Sequence, residues 1–75
     1  MTKKDREIIE NAEEHKIPIF TLVAKDSCSV DTLYSYFNHC QNAGCSQKHL
    51  SGIDKRIQEF EQWQDLHPLG VKDPD

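Results

Sequence analysis

Residues 17–24 read Ile17-Pro18-Ile19-Phe20-Thr21-Leu22-Val23-Ala24, a run rich in β-branched and apolar residues between stretches with helical periodicity. Both alternating faces of this run are apolar, which is typical of a strand that is covered on both sides. We predict one short strand over residues 18–24, with pairing that begins after Pro18 because proline has no amide to donate. The alternative is an extended core segment that forms no ladder hydrogen bonds.

This strand has no predicted partner in its own chain. Its backbone donors and acceptors must pair elsewhere, because unpaired polar groups are costly to bury and an open strand edge invites another strand. We therefore expect the strand to pair between subunits of a homo-oligomer.

The rest of the chain predicts helices, so the fold class is mainly α with the order α-β-α-α in a single small domain of residues 1–75. The first helix covers about residues 3–15. Thr2 and Asp5 precede its apolar positions with the spacing of a capping box, in which hydroxyl and carboxylate satisfy each other's backbone amides.

Two further helices follow the strand. Ser29 is a candidate N-cap for a helix of about residues 30–43, and Gly44 follows this helix as a C′ glycine would. The longest helix covers about residues 47–65, where apolar residues recur at intervals of three and four. A polar tail, residues 66–75, ends the chain.

Composition limits both the core and the partners. The chain has 75 residues, 36% of them hydrophobic, and a net charge of -4, with a mean hydropathy of -0.75. A chain with so few hydrophobic residues forms a small core, and burying further apolar surface between subunits would stabilise the fold. An acidic chain lacks the broad positive surface that general nucleic-acid binding requires.

The cysteine count and the apolar runs bear on localisation. Three cysteines, an odd number, with no apolar export segment at the amino end, indicate a reducing compartment, and we expect a cytoplasmic protein. The apolar runs are far shorter than the roughly 20 residues that cross a bilayer, so no membrane span is predicted.

The junction between strand and second helix is the first candidate site. Lys25 offers a positive charge and the hydroxyls of Ser27 and Ser29 offer donors, near a helix start that favours phosphate or carboxylate. Asp26 is placed to accept from a ribose hydroxyl or to orient Lys25. The alternative is that Asp26 and the two serines cap the helix and that Lys25 is solvated.

The third helix adds a cluster of positive or titratable side chains in an otherwise acidic chain. These residues are Lys48, His49, Lys55 and Arg56. In a symmetric oligomer this cluster and the strand-to-helix junction could meet across an interface and build one pocket. Phe20, Tyr34 and Tyr36 offer rings on which a base could stack, although aromatic residues at helical spacing more often belong to a core.

Neither a metal site nor a catalytic site is predicted. His39, Cys40, Cys45 and His49 lie close in sequence, but adjacent helical residues point in different directions and Cys40 belongs to the apolar stripe. Cys28 lies at a helix start that favours thiolate, yet no histidine can be placed beside it as a base. We expect a non-enzymatic protein without a cofactor.

Several segments together resemble small accessory proteins of bacteriophages and prophages. They are residues 18–26, the break Ala43-Gly44-Cys45, the segment Phe60-Glu61-Gln62-Trp63-Gln64 and the ending Lys72-Asp73-Pro74-Asp75. The resemblance implies a non-essential phage-type product that acts by binding, either blocking a host protein or sequestering a host signalling nucleotide as an anti-defence sponge.

Two hypotheses about function follow. The first is an oligomeric binder of a phosphate-bearing, nucleotide-derived signal, with Lys25, Asp26, Ser27, Ser29, Phe20, Tyr34 and Arg56 as candidate ligand-binding residues. The second is an interaction module that binds a host protein through its strand or through the acidic face of its first helix, which carries Glu7, Glu10, Glu13 and Glu14.

Overall fold

The computed structural model describes residues 1–74, so Asp75, the last residue of the predicted tail, lies outside the described residues. The chain forms three helices in the order α1 (Lys3–Glu14), α2 (Ser29–Asn42) and α3 (Gln47–Leu66). The three predicted helices are therefore confirmed, with each end within one residue of its predicted position. No helix among the described residues is both long and apolar enough to cross a membrane.

The core lies between α2 and α3. Its buried members are Cys40, Leu50, Ile53 and Ile57, against which Leu33, Phe37 and Cys45 pack. Within residues 1–74, α2 and α3 are the one helix pair whose backbones run in close contact. They are antiparallel, because the side chains of Tyr34 and Tyr36 reach Glu61 and His49 in reversed order.

α1 begins and ends with well-defined caps. The Thr2 hydroxyl accepts from the Asp5 amide at 3.1 Å, and the Asp5 carboxylate accepts from the Thr2 amide at 3.2 Å, so the predicted capping box is confirmed. At the other end, the Ile17 amide donates to the Ala12 carbonyl at 2.8 Å, around Lys16 with φ 55°. This is a Schellman motif with lysine in the left-handed position that glycine usually occupies.

α2 ends with the same motif. The Cys45 amide donates to the Cys40 carbonyl at 3.0 Å and the Gly44 amide donates to the Gln41 carbonyl at 3.1 Å. Gly44 has φ 78°, which confirms it as the C′ glycine. The turn returns the chain at once into α3, whose N-cap Ser46 accepts from the His49 amide at 3.2 Å.

The apolar run at residues 17–24 forms neither a helix nor a strand. Among the described residues no sheet is present, and the one β-bridge is a parallel pair between Asp26 and Lys72. The predicted strand is thus not confirmed in the isolated chain. Most large side chains of the run are exposed, with Phe20 at 87%.

The two left-handed helix ends generate a prediction about stability. Replacing Gly44 by alanine should lower the free energy of unfolding by about 1 kcal/mol, because a Cβ is strained at positive φ. Lys16→Gly should raise it by about 0.5–1 kcal/mol, since it relieves the same strain at the equivalent position of α1.

Urea unfolding followed by far-ultraviolet circular dichroism measures both changes. Each variant is the other's control, since the two alter the same position of the same motif in opposite directions. Equal destabilisation by both variants would contradict the assignment of Lys16 to a strained C′ position.

Candidate functional site

The entry to α2 is organised by hydrogen bonds within the chain. Asp26 Oδ1 accepts from the Cys28 amide at 2.7 Å, and Ser29 Oγ donates to the Asp26 carbonyl at 2.7 Å. Ser29 is fully buried and is the first residue of α2, while Cys28 occupies the N-cap without a capping side chain. The prediction of Ser29 as N-cap is therefore wrong by one position, since α2 begins at Ser29, and the Asp26 carboxylate accepts from the amide of the N-cap residue Cys28.

The C-terminal tail closes over this junction. The Lys72 amide donates to the Lys25 carbonyl at 2.9 Å, and the Ser27 amide donates to the Lys72 carbonyl at 2.9 Å. Ser27 Oγ donates to Asp73 Oδ1 at 2.5 Å. The tail therefore supplies the partners that the backbone of residues 25–27 would otherwise lack.

Gln64, a residue of α3, is hydrogen-bonded to the same junction. Its Nε2 donates to the Ala24 carbonyl at 3.0 Å and also lies 3.5 Å from both the Asp26 carbonyl and Ser29 Oγ. One amide group thus faces three acceptors at the end of the apolar run. Sequence periodicity gives no sign of this role, since Gln64 occurs among several similar polar residues at the end of α3.

Asp26 and Ser29 therefore have hydrogen-bond partners at the start of α2, whereas Ser27 bonds to the tail. Lys25 differs from them, because its side chain is exposed and makes no ion pair among residues 1–74. A ligand-binding role for Lys25 stays a prediction.

Two clefts lie on the surface between the helices, and residues of all three helices line each of them; the apolar run adds a wall to the first one only. The first, which we call the apolar cleft, has a volume of about 730 Å³. Its walls are mostly hydrophobic and include Ile8, Ile9, Phe20, Leu22, Val23 and Phe60.

The second, which we call the basic cleft, has a volume of about 830 Å³. Its lining includes Lys4, Tyr36, Lys48, His49, Lys55 and Arg56. The four fully cationic members come from α1 and α3, and they face two carboxylates, Asp5 and Glu59, in the same lining. The cleft is therefore locally positive in a chain whose net charge is -4.

Arg56 belongs to both clefts and joins α3 to α1. Its Nη2 lies 2.7 Å from Asp5 Oδ2 and its Nη1 lies 3.2 Å from Glu59 Oε2, while 37% of its side chain stays exposed. Hydrogen bonds from Thr2, supported by the nearby guanidinium, lower the pKa of Asp5 below its ordinary value of 3.8. Asp5 is thus held as an anion beside Arg56.

Tyr36 forms part of the wall of the basic cleft. Its hydroxyl lies 3.3 Å from His49 Nε2, and the two rings meet edge to face at 6.1 Å. A side-chain hydrogen bond with Cys40, together with burial, raises the pKa of Tyr36 above 10.0. Tyr36 therefore stays neutral at physiological pH and presents a ring and a hydroxyl to the cleft.

The predicted site residues fall into three places. Lys25, Asp26, Ser27 and Ser29 meet at the junction with the tail, and Phe20 and Arg56 share the apolar cleft. Tyr34 lines neither cleft, and its hydroxyl donates to Glu61 Oε1 at 3.0 Å, which raises its pKa. Within one chain these seven residues do not form a single pocket.

Sequence reasoning missed Lys4 and Asp5 as members of the clefts. Their proximity to Arg56 depends on how α1 lies across α3, and no local pattern encodes that. Within residues 1–74, no three His, Cys, Asp or Glu side chains converge as metal ligands would.

The chain matches no protein family model, no curated protein and no solved structure. The resemblance to phage accessory proteins therefore stays a prediction, and the site has to be argued from its own geometry.

The Asp5 interactions generate a pH prediction. A carboxyl whose folded-state pKa is lowered stabilises the fold above its unfolded pKa, and this stabilisation is lost as the pH falls through the folded-state value. Asp5→Asn should therefore lower the melting temperature at pH 6, and the difference from the wild type should shrink steadily below about pH 3.8.

Thermal unfolding of both chains across this pH range measures the effect. Arg56→Gln should reproduce part of the loss at pH 6, because the Thr2 hydrogen bonds remain. A difference between wild type and Asp5→Asn that is the same at pH 6 and below pH 3 would show that the charge of Asp5 does not stabilise the fold.

Proposed function

We propose that this protein is a non-enzymatic, homo-oligomeric binding protein that holds a phosphate-bearing, nucleotide-derived ligand. The observation that carries the proposal is the basic cleft, where four cationic side chains surround one concave surface of an acidic chain. Such a local excess of positive charge attracts an anion without attracting nucleic acid in general.

The chemistry of the basic cleft suits phosphate. Arg56 offers a planar guanidinium whose remaining N–H groups can donate to phosphate oxygens, and the lysines add flexible point charges. Lys48 and His49 belong to the first turn of α3, where the positive end of the helix dipole favours an anion.

The adjoining apolar cleft suits the rest of a nucleotide. The two clefts share Asp5, Ile8, Leu33 and Arg56, so they meet at the guanidinium. A ligand could place its phosphate among the cations and its base against Phe20 in the apolar cleft, or against Tyr36 in the basic cleft. Stacking of a base on an aromatic side chain contributes about 1–3 kcal/mol.

Self-association is the second part of the proposal. The run at residues 17–24 exposes Ile17, Ile19, Phe20 and Val23, each more than half accessible in the single chain. Contact with the same run of a second copy would bury these side chains and would pair the backbone groups of the run, as the sequence predicts.

Assembly through this run would also bring Lys25 into the site. Lys25 follows the run directly, so a copy paired there presents Lys25 at the edge of the interface. A pocket built from Lys25 of one copy and Arg56 of another would collect the predicted ligand-binding residues that one chain keeps apart. The resemblance to phage accessory proteins makes a sponge for a host defence signal the matching biological role.

A second candidate function is an interaction module or inhibitor that binds a host protein. It is favoured by the acidic face of α1, where Glu7, Glu10, Glu13 and Glu14 are all exposed. Affinity capture separates the two functions, since a sponge copurifies with a small molecule and an inhibitor with a stoichiometric protein.

Ligand binding is tested with cyclic dinucleotides, cyclic ADP-ribose isomers and inorganic pyrophosphate as probes. At least one nucleotide should raise the melting temperature, because a ligand that binds only the folded state stabilises it. Lys25→Gln and Arg56→Gln should each weaken binding about tenfold or more in calorimetry, the effect of losing a charged hydrogen bond.

Lys3→Gln is the matched control, because Lys3 is exposed and lines neither cleft. Its affinity should equal that of the wild type. The proposed ligand class is wrong if no nucleotide stabilises the oligomeric protein even at millimolar concentration, and the proposed site is wrong if Lys3→Gln weakens binding as much as Arg56→Gln.

Assembly is tested by sedimentation equilibrium. Phe20→Ser should shift the protein from oligomer towards monomer without unfolding it, since this ring is 87% exposed in the single chain. Leu69→Ser is the control, because Leu69 is 94% exposed but lies outside the run. A wild-type chain that sediments as a monomer at every concentration would contradict the proposed assembly.

A further inference from the structure

The turn between α2 and α3 brings two thiols together. Cys40 and Cys45 occupy the C3 and C″ positions of the Schellman motif, whose side chains commonly contact each other. Cys40 belongs to the buried core, and Cys45 packs against that core. Both cysteines carry free thiols.

The backbone geometry of the turn sets how far apart these residues can lie. The hydrogen bond of 3.0 Å from the Cys45 amide to the Cys40 carbonyl links the two Cα atoms through one C–C bond, one carbonyl and one N–C bond. With standard bond lengths this linkage spans at most about 7 Å, and its bond angles shorten it further. Disulfides join Cα atoms about 4.4–6.8 Å apart, so the backbone of the turn brings the two residues near the range in which a bridge can form.

The side chains support the same conclusion. A side-chain hydrogen bond with Cys40 adds to burial in raising the pKa of Cys45 above 9.0. The same two thiols contribute to raising the pKa of Tyr36, and the interaction with Cys40 is the largest cause. The two side chains therefore belong to one packed cluster at the turn.

We infer that Cys40 and Cys45 are a redox-active pair that closes reversibly into a disulfide across the α2–α3 turn. The co-reactant is a low-molecular-weight disulfide of the glutathione class. The inference is independent of the proposed ligand and of the oligomer.

The reaction proceeds by two thiol–disulfide exchanges. Cys45, the more accessible of the two, loses its proton to solvent, and its thiolate attacks one sulfur of glutathione disulfide and displaces one glutathione thiolate. The Cys40 thiolate then attacks Cys45 Sγ in the mixed disulfide and displaces the second glutathione. The protein dithiol gives up two electrons and two protons, and the two glutathione thiols receive them.

Cys28 differs from this pair. Its side chain is exposed at the N-cap of α2, and no second cysteine is near it in sequence. Glutathione disulfide should therefore leave Cys28 as a mixed disulfide. The wild-type chain thus contains both a cysteine expected to keep glutathione and a pair expected to release it.

The experiment uses the full chain with Cys28→Ser, which keeps the pair and removes the competing thiol. After incubation with excess glutathione disulfide in native buffer, intact mass spectrometry should show a loss of about 2 Da, and thiol titration should show the loss of both remaining thiols. Reduction should restore both. The oxidised chain should also melt several degrees higher, because the bridge restricts the unfolded state.

The variant Cys28→Ser/Cys45→Ser is the control, and it should never lose mass. A Cys28→Ser chain that retains both thiols, or that accumulates glutathione adducts of about 305 Da as its final product, overturns the inference. A bridge that forms in urea but not in native buffer also overturns it, because the folded turn would then hold the sulfurs apart. Circular dichroism confirms that each variant is folded. If a variant is not, the wild-type chain should show the same bridge as a net gain of about 303 Da, from one glutathione on Cys28 and two hydrogens lost from the pair.

Discussion

The packing of α2 against α3 is the interaction on which the rest of the structure depends. Its buried core has just four members, Cys40, Leu50, Ile53 and Ile57, and the close backbone contact between helices is confined to this pair in residues 1–74. The tight turn at Gly44 makes the pairing local in sequence, so the chain can form it early and at low entropic cost. α1 and the tail then attach to this hairpin through specific polar contacts.

Those attachments explain why the junction before α2 is polar. The tail, Gln64 and the carboxylate of Asp26 accept from or donate to backbone groups that no sheet pairs among the described residues. Asp26, Ser27 and Ser29, which the sequence predicts as part of an anion site, therefore already form hydrogen bonds that stabilise the fold. Lys25 takes part only through its backbone carbonyl, which accepts from the tail. Its side chain remains in solvent.

The sequence predicted those parts of the fold that depend on neighbouring residues. The capping box, the C′ glycine and the three helices are local patterns, and the structure contains all of them. It predicted the basic cluster on α3 in part, since spacing on one helix reveals Lys48, His49, Lys55 and Arg56 but not that Lys4 and Asp5 lie opposite. The contacts of Gln64 and Asp73 with the junction span about half the chain and leave no periodic signal.

The apolar run at residues 17–24 is where sequence and single-chain structure differ, and the difference has a physical meaning. A run with apolar residues on both faces expects cover on both faces, yet the buried core lies between α2 and α3 and includes no residue of the run. The run therefore remains beside α1 as the wall of a cleft, with Phe20 almost fully in solvent. In this chain of 75 residues the apolar cleft, which the run helps to wall, meets the basic cleft at Arg56, so under the proposed function assembly and ligand binding would act on one another.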